Sequence, residues 1–148
     1  MGMFDSMHIS ASGLAAERLR MDVISQNLAN VNTTRGPNGP YRRHEVVFRA
    51  SDGVPGAGAA AASESSSVPG GPLHGVEAVA IVEDPSELRA VHDPSNPDAD
   101  ENGYVYYPNV NPVTETVDMM TATRAYEANV TAMNAAKNMA LKALDILR

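Results

Sequence analysis

Hydrophobic positions recur at helical spacing at both ends of the chain, and at each end they fall on two faces. Met7, Leu14, Met21 and Leu28 repeat at heptad intervals. At about 100° per residue they form one slowly drifting stripe, widened by Ala11, Ile24 and Val31. Ile9, Ala16, Leu19 and Val23 lie on the opposite side. In the last segment Met119, Tyr126, Met133, Ala140 and Leu147 make a stripe, with Val130 and Leu144 beside it. Val113, Val117, Ala128, Ala135, Met139 and Ile146 occupy the far side. A surface helix of a monomer needs one apolar stripe, whereas two stripes demand neighbours on two sides. Pairing the termini with each other covers one face of each. The far faces, Val23 and Met139 among them, are expected to meet other molecules.

Between the helices the periodicity shortens. The first helix is expected to start near Asp5 or Ser6 as N-cap and to stop around Val31, before the breaker Gly36-Pro37-Asn38-Gly39-Pro40. Tyr41 to Arg49, Gly75 to Glu83, Leu88 to His92 and Tyr104 to Tyr107 read as strands. Residues 50–75 are rich in Ala, Gly, Ser and Pro, with hardly a large apolar side chain, and read as a flexible loop. Pro108, Asn111 and Pro112 introduce the C-terminal helix. The two helices would be about 40 and 50 Å long. The predicted fold is α+β and mainly α. It has an N-terminal helical region at 1–35, a β-containing middle at 36–112 and a C-terminal helical region at 113–148, and the two helices pair as a coiled coil.

Composition narrows the function classes. The 148 residues include no Cys, no Trp and two Phe, so large core-building side chains are scarce and thiolate chemistry is absent. No apolar run approaches the ~18 residues of a membrane span. Asp5, His8, Glu17 and Arg18 interrupt any secretory signal core. The net charge of −7 resides in the middle, because the acids and bases of residues 1–35 cancel and so do those of 113–148. Neutral helices suit burial in an assembly, an acidic middle suits solvent, and the acidity argues against a nucleic-acid partner.

Candidate chemistry is thin. Asp98, Asp100, Asn102 and Gly103 match the first half of a calcium loop, but the position that needs a bidentate Glu holds Asn109. An acidic turn feeding a strand accounts for the same residues. His8, His44, His74 and His92 lack metal-ligand spacing. The serines at 63 and 65–67 show no nucleophile-elbow pattern, and Gly70-Gly71 opens no phosphate loop. The chain therefore reads as non-enzymatic, with no cofactor, metal or small-molecule substrate. Tyr41-Arg42-Arg43-His44 is a basic-aromatic cluster that reads as a strand edge or as a contact for an acidic partner.

Polar residues within the helices say more. Asn27, Asn30, Asn129, Asn134 and Asn138 are mediocre helix formers. Each either faces a wet groove or sets register between packed helices, as a polar seam residue does in coiled coils. The row Ala122, Ala125, Ala132, Ala136 and Ala143 permits close helix approach.

The run from Ser12 to Thr33, with Asn27-Leu28-Ala29-Asn30 and Asn32-Thr33 as its most diagnostic elements, resembles the N-terminal signature of the bacterial flagellar rod and hook proteins. Three further stretches are similar to proximal-rod members of that family. They are Gly39 to Phe48, Val82 to Val105, and Pro108 through Asn129. The resemblance spans nearly the whole chain outside residues 50–75. It implies a structural subunit of the helical tube that carries torque from motor to hook. It also implies paired terminal helices lining the inner tube, with the middle packed outside. Partners would be further copies, other rod proteins and the flagellar type III export apparatus. The location would be the periplasmic rod of the basal body, reached without a cleaved signal peptide. Two other classes stay open on sequence alone: a coiled-coil scaffold or adaptor of fixed size, and a calcium-dependent binding module.

Overall fold

The chain opens with a helix, α1 (Met3–Ala29), and closes with a longer one, α2 (Pro112–Ile146). Between them run four strands: β1 (His44–Ala50), β2 (Val76–Glu83), β3 (Arg89–His92) and β4 (Tyr104–Tyr107). The computed structural model describes residues 3–37, 39–51 and 75–146. The flexible loop expected at 50–75 lies almost wholly outside the described residues, as does Leu147.

The helices lie antiparallel. Asn27 of α1 meets Glu115 of α2, Met21 meets Thr123, and Gly13 meets Asn129. At Gly13 a Cβ would sit 3.0 Å from Nδ2 of Asn129, so the missing side chain sets how closely the helices approach. Ala122 and Ala136 of the alanine row are buried, whereas Ala132 and Ala143 are exposed.

Asn111 caps α2 by accepting the Val113 N–H at 3.0 Å, and Pro112 fills the first helical position, where no N–H partner is needed. At the other end of the pair α1 stops at Ala29, short of the expected Val31. The Asn30 side chain donates to the Gln26 carbonyl and accepts the Thr33 hydroxyl, which turns the chain out of the helix.

The strands form two antiparallel ribbons, β1 with β2 and β3 with β4. In β1 burial alternates, with His44, Val46 and Phe48 half-buried and Glu45, Val47 and Arg49 exposed, as period-2 geometry requires. The register of β1 against β2 slips between Val47 and Phe48. Arg20 of α1 stacks over the Phe48 ring at 4.8 Å, and the Ser12 hydroxyl accepts the Val76 N–H at 3.1 Å. The first ribbon thus packs on α1. Ala16 and Val23 are buried inside the subunit, and Val23 lines a cavity between α1, β1 and α2. This corrects the expectation that Val23 meets a neighbouring molecule; Ile9 and Leu19 on the same side of α1 are half-buried.

Candidate assembly interface

A polar clamp holds the three parts together. Asn27 sits on α1 and is 1% exposed; Glu115 lies in the first turn of α2 and is fully buried. The Asn27 amide donates to the His44 carbonyl at 2.8 Å and to Oε2 of Glu115 at 3.1 Å. Its oxygen accepts the Tyr41 hydroxyl and the His44 N–H, both at 2.9 Å. Both donors and both lone pairs of the amide are used, which offsets the cost of burying it. Because the Tyr41 proton goes to Asn27, the Tyr41–His44 contact at 2.9 Å assigns the imidazole proton to Nδ1. Nε2 is then left facing Glu83 at 4.0 Å.

Arg43 completes the clamp. Its Nε donates to Oε1 of Glu115 at 2.7 Å, and its other nitrogens lie 3.6–4.0 Å from Glu45, Asp118 and Asp84. The hydrogen bond to Glu115 holds the guanidinium above its ordinary pKa, against the lowering effect of burial. Burial raises the Tyr41 phenol, and the charges of Glu115 and Glu83 add to it. Asp84 is held below the usual carboxylate range, first by the Ser86 backbone N–H and then by the Ser86 hydroxyl.

The outward side of α2 is different in kind. Val113, Val117 and Met120 are more than half exposed, Met139 is 63% exposed, and Ala128 and Ala135 are open to solvent between them. The i, i+3/i+4 spacing puts Val113, Val117, Met120, Ala128 and Ala135 on one stripe. Arg124 and Lys142 interrupt that stripe. Among the described residues this helix face is exposed along the subunit, small in its middle and apolar elsewhere apart from those two cations.

The acidic turn at 93–103 is built from its own hydrogen bonds. Asp100 accepts the N–H groups of Asn102 and Tyr104, both at 2.9 Å, and Gly103 supplies the positive φ of 77°. Asp98 takes the Thr34 hydroxyl at 2.8 Å and lies 3.4 Å from Arg35, tying the turn to the segment after α1. Among the described residues no cluster of three His, Cys, Asp or Glu could hold a metal ion, and no helix is long and apolar enough to cross a membrane.

Residues 7–37 match the flagella basal body rod protein family, and residues 101–146 match the C-terminal family of the flagellar basal body rod FlgEFG proteins. Over 151 aligned residues, 99% of each chain, the sequence is 48% identical to the flagellar basal-body rod protein FlgC of Bacillus subtilis. The chain belongs to the FlgC family. Identity to the FlgC of Borreliella burgdorferi is 44%, over 100% of this chain and 99% of that one. For the FlgC of Salmonella typhimurium it is 37%, over 99% and 98%.

In this FlgC-family chain the interface residues expected from sequence divide into three groups. Ile24, Val23 and Asn27 are buried within the subunit. Met7, Ile9, Leu14, Leu19, Met21, Asn30, Val31, Met119, Tyr126, Val130 and Met133 are half-buried, and Leu28 is 38% exposed at the edge of the seam. Val117, Met139 and Leu144 are exposed. On α1 Arg20 pairs with Glu17 at 3.5 Å. Sequence reasoning missed Glu115 and the link between it and Arg43. The one available signal was a lone Glu in the first turn of α2 with a basic-aromatic cluster elsewhere in the chain.

Proposed function

We propose that the chain is a structural subunit of the proximal rod of the flagellar basal body, and that it works by packing rather than by chemistry. Its α1–α2 pair would build the inner wall of a helical tube, with the two ribbons outside, and the tube would carry torque from motor to hook. Its partners would be further copies and other rod proteins, reached through the flagellar type III export apparatus, and its place the periplasmic rod.

The observation that carries this reading is the outward face of α2, largely apolar and exposed among the described residues while its inward face is packed. Each Val or Met there that becomes buried contributes roughly 1.5–3 kcal/mol, so contacts repeated between copies make the assembly the stable state. The regions 1–35, 36–112 and 113–148 then serve as inner helix, outer ribbons and inner helix.

Replacing Val117 or Met139 by Asp tests it. The clamp and the seam are untouched, so export and folding are expected to persist while incorporation into basal bodies is lost. Normal incorporation of both variants contradicts the reading. An adaptor of fixed size would instead sediment as one closed oligomer at every concentration.

A further inference from the structure

The second ribbon stands apart from the other elements of the subunit. No Cα atom of β3 or β4 comes within 8 Å of one in α1, α2, β1 or β2. What joins the ribbon to the rest differs between its two ends.

At the base its two legs are tied to each other and to the chain just before β1. The Asn109 side chain, on the leg that leaves β4, donates to the Ser86 hydroxyl at 2.7 Å and to the Asp84 carbonyl at 3.3 Å, on the leg that enters β3. Its oxygen accepts the Arg43 N–H at 2.8 Å. The Asp84 N–H donates to the Arg43 carbonyl at 2.8 Å, and Arg42 donates to the Ser86 carbonyl at 3.2 Å.

The tip is held by one side chain. In the turn at 93–103, Asp93 accepts the Ser95 N–H and Asp100 those of Asn102 and Tyr104, so both carboxylates bond within the ribbon. Glu101 is exposed. Asp98 alone reaches out, to the Thr34 hydroxyl at 2.8 Å and to Arg35 at 3.4 Å. Among the described residues no other hydrogen bond or ion pair joins this turn to chain outside the ribbon. The Arg35 side chain is 81% exposed, and an ion pair so open to solvent holds weakly.

We propose that the second ribbon is a hinged arm, pivoting on the Asn109 knot and latched at its tip by Asp98 against Thr34 and Arg35. A few residues at the ends of elements suffice for such a hinge, and weakly held parts open first. Opening moves Asp93, Asp98, Asp100 and Glu101 relative to the helix pair, which stays as it is. The acidic surface turned toward a neighbouring molecule thus changes while the seam between α1 and α2 does not.

The absence of cysteine allows spin labels to be placed at will. Ser25→Cys on α1 with Glu101→Cys on the tip reports the arm, and Ser25→Cys with Glu77→Cys in β2 serves as the control pair. Pulsed electron spin resonance on the purified full chain reads both distances. With the latch intact the tip distance is expected to be narrow. Asp98→Ala should lengthen and broaden it while the control distance holds. The double variant Thr34→Val/Arg35→Ala should do the same from the other side of the latch. A tip distance unchanged in either variant overturns the inference, since the packing that buries Val105 would then hold the ribbon. A tip distance already broad with the latch intact also overturns it. So does a control distance that loosens together with the tip.

Discussion

The amide of Asn27 and the carboxylate of Glu115 meet at 3.1 Å with both side chains buried, and this contact pins the end of α1 to the start of α2. Arg43 holds the other carboxylate oxygen at 2.7 Å, so the β-containing middle is fastened at the same point. A subunit that transmits force between helices and an outer region benefits from such a joint. Asn27 uses its oxygen and both N–H groups there, and Glu115 uses both its oxygens, so sliding of the helices would separate the buried carboxylate from Asn27.

Glu115→Ala should therefore destabilise the subunit strongly. The buried Asn27 amide would lose one of its two acceptors and the half-buried Arg43 its closest one, at a cost of about 1–3 kcal/mol. Asp118→Ala removes a partly exposed carboxylate 3.7 Å from the same arginine and should cost no more than about 1 kcal/mol. Urea unfolding of the two variants measures the difference. Similar small losses in both would mean the clamp is not a stabilising joint.

Tyr41 gives the clamp an alkaline limit. Its pKa is raised in the folded chain, chiefly by burial, so the folded state keeps a proton that the unfolded chain gives up above about pH 10. The associated stability is complete below that pH and is lost as pH rises through the folded value. Tyr41→Phe should cost about 1–3 kcal/mol at neutral pH, because Asn27 and His44 each lose a partner. It should also flatten the alkaline decline, which unfolding curves at neutral and alkaline pH would reveal.

Gly13 should be intolerant of branching. A Cβ there meets Nδ2 of Asn129 at 3.0 Å, so Gly13→Val should cost about 1–3 kcal/mol by forcing the helices apart. Adding Asn129→Ala should recover part of that loss, since the two positions touch. Thermal unfolding of the single and double variants tests the coupling, and strict additivity would show that the contact does not set the helix spacing.

Ser86 should govern the Asp84 carboxyl. In Ser86→Ala the backbone N–H bond at 2.8 Å remains while the hydroxyl is lost. The Asp84 pKa should rise toward the ordinary carboxylate value without reaching it, as carbon NMR titration would record. An unchanged titration would assign the lowering to other groups.

The helices, the four strands and their order were legible in the sequence because periodicity is a local property. Tyr104 to Tyr107 matches β4, and Asn111-Pro112 marks the start of α2 as cap and first helical residue. The family, too, was written in the run from Ser12 to Thr33. What periodicity cannot say is which molecule covers a second apolar face. For Val23 the answer is the chain's own β1 together with α2, brought back from later in the sequence; Val117 and Met139 stay exposed among the described residues. The clamp was equally hidden. Asn27, Tyr41, Arg43 and Glu115 are spread over 88 positions between first and last, and only the folded register unites them. In sequence the basic-aromatic cluster reads as a strand edge or as a contact for an acidic partner, and its Arg43 meets the chain's own Glu115.

Methionine oxidation distinguishes a covered from an open outward face of α2, because the chain carries methionines on both kinds of surface. Met120 and Met139 lie exposed on α2, while Met21 and Met119 are half-buried beside the seam. Hydroxyl-radical footprinting of the purified subunit and of isolated basal bodies should show Met120 and Met139 reactive in the first and protected in the second, with Met21 and Met119 changing little. Equal reactivity of Met120 and Met139 in both preparations would contradict the account, since the outward face of α2 would then meet no neighbour in the assembled rod.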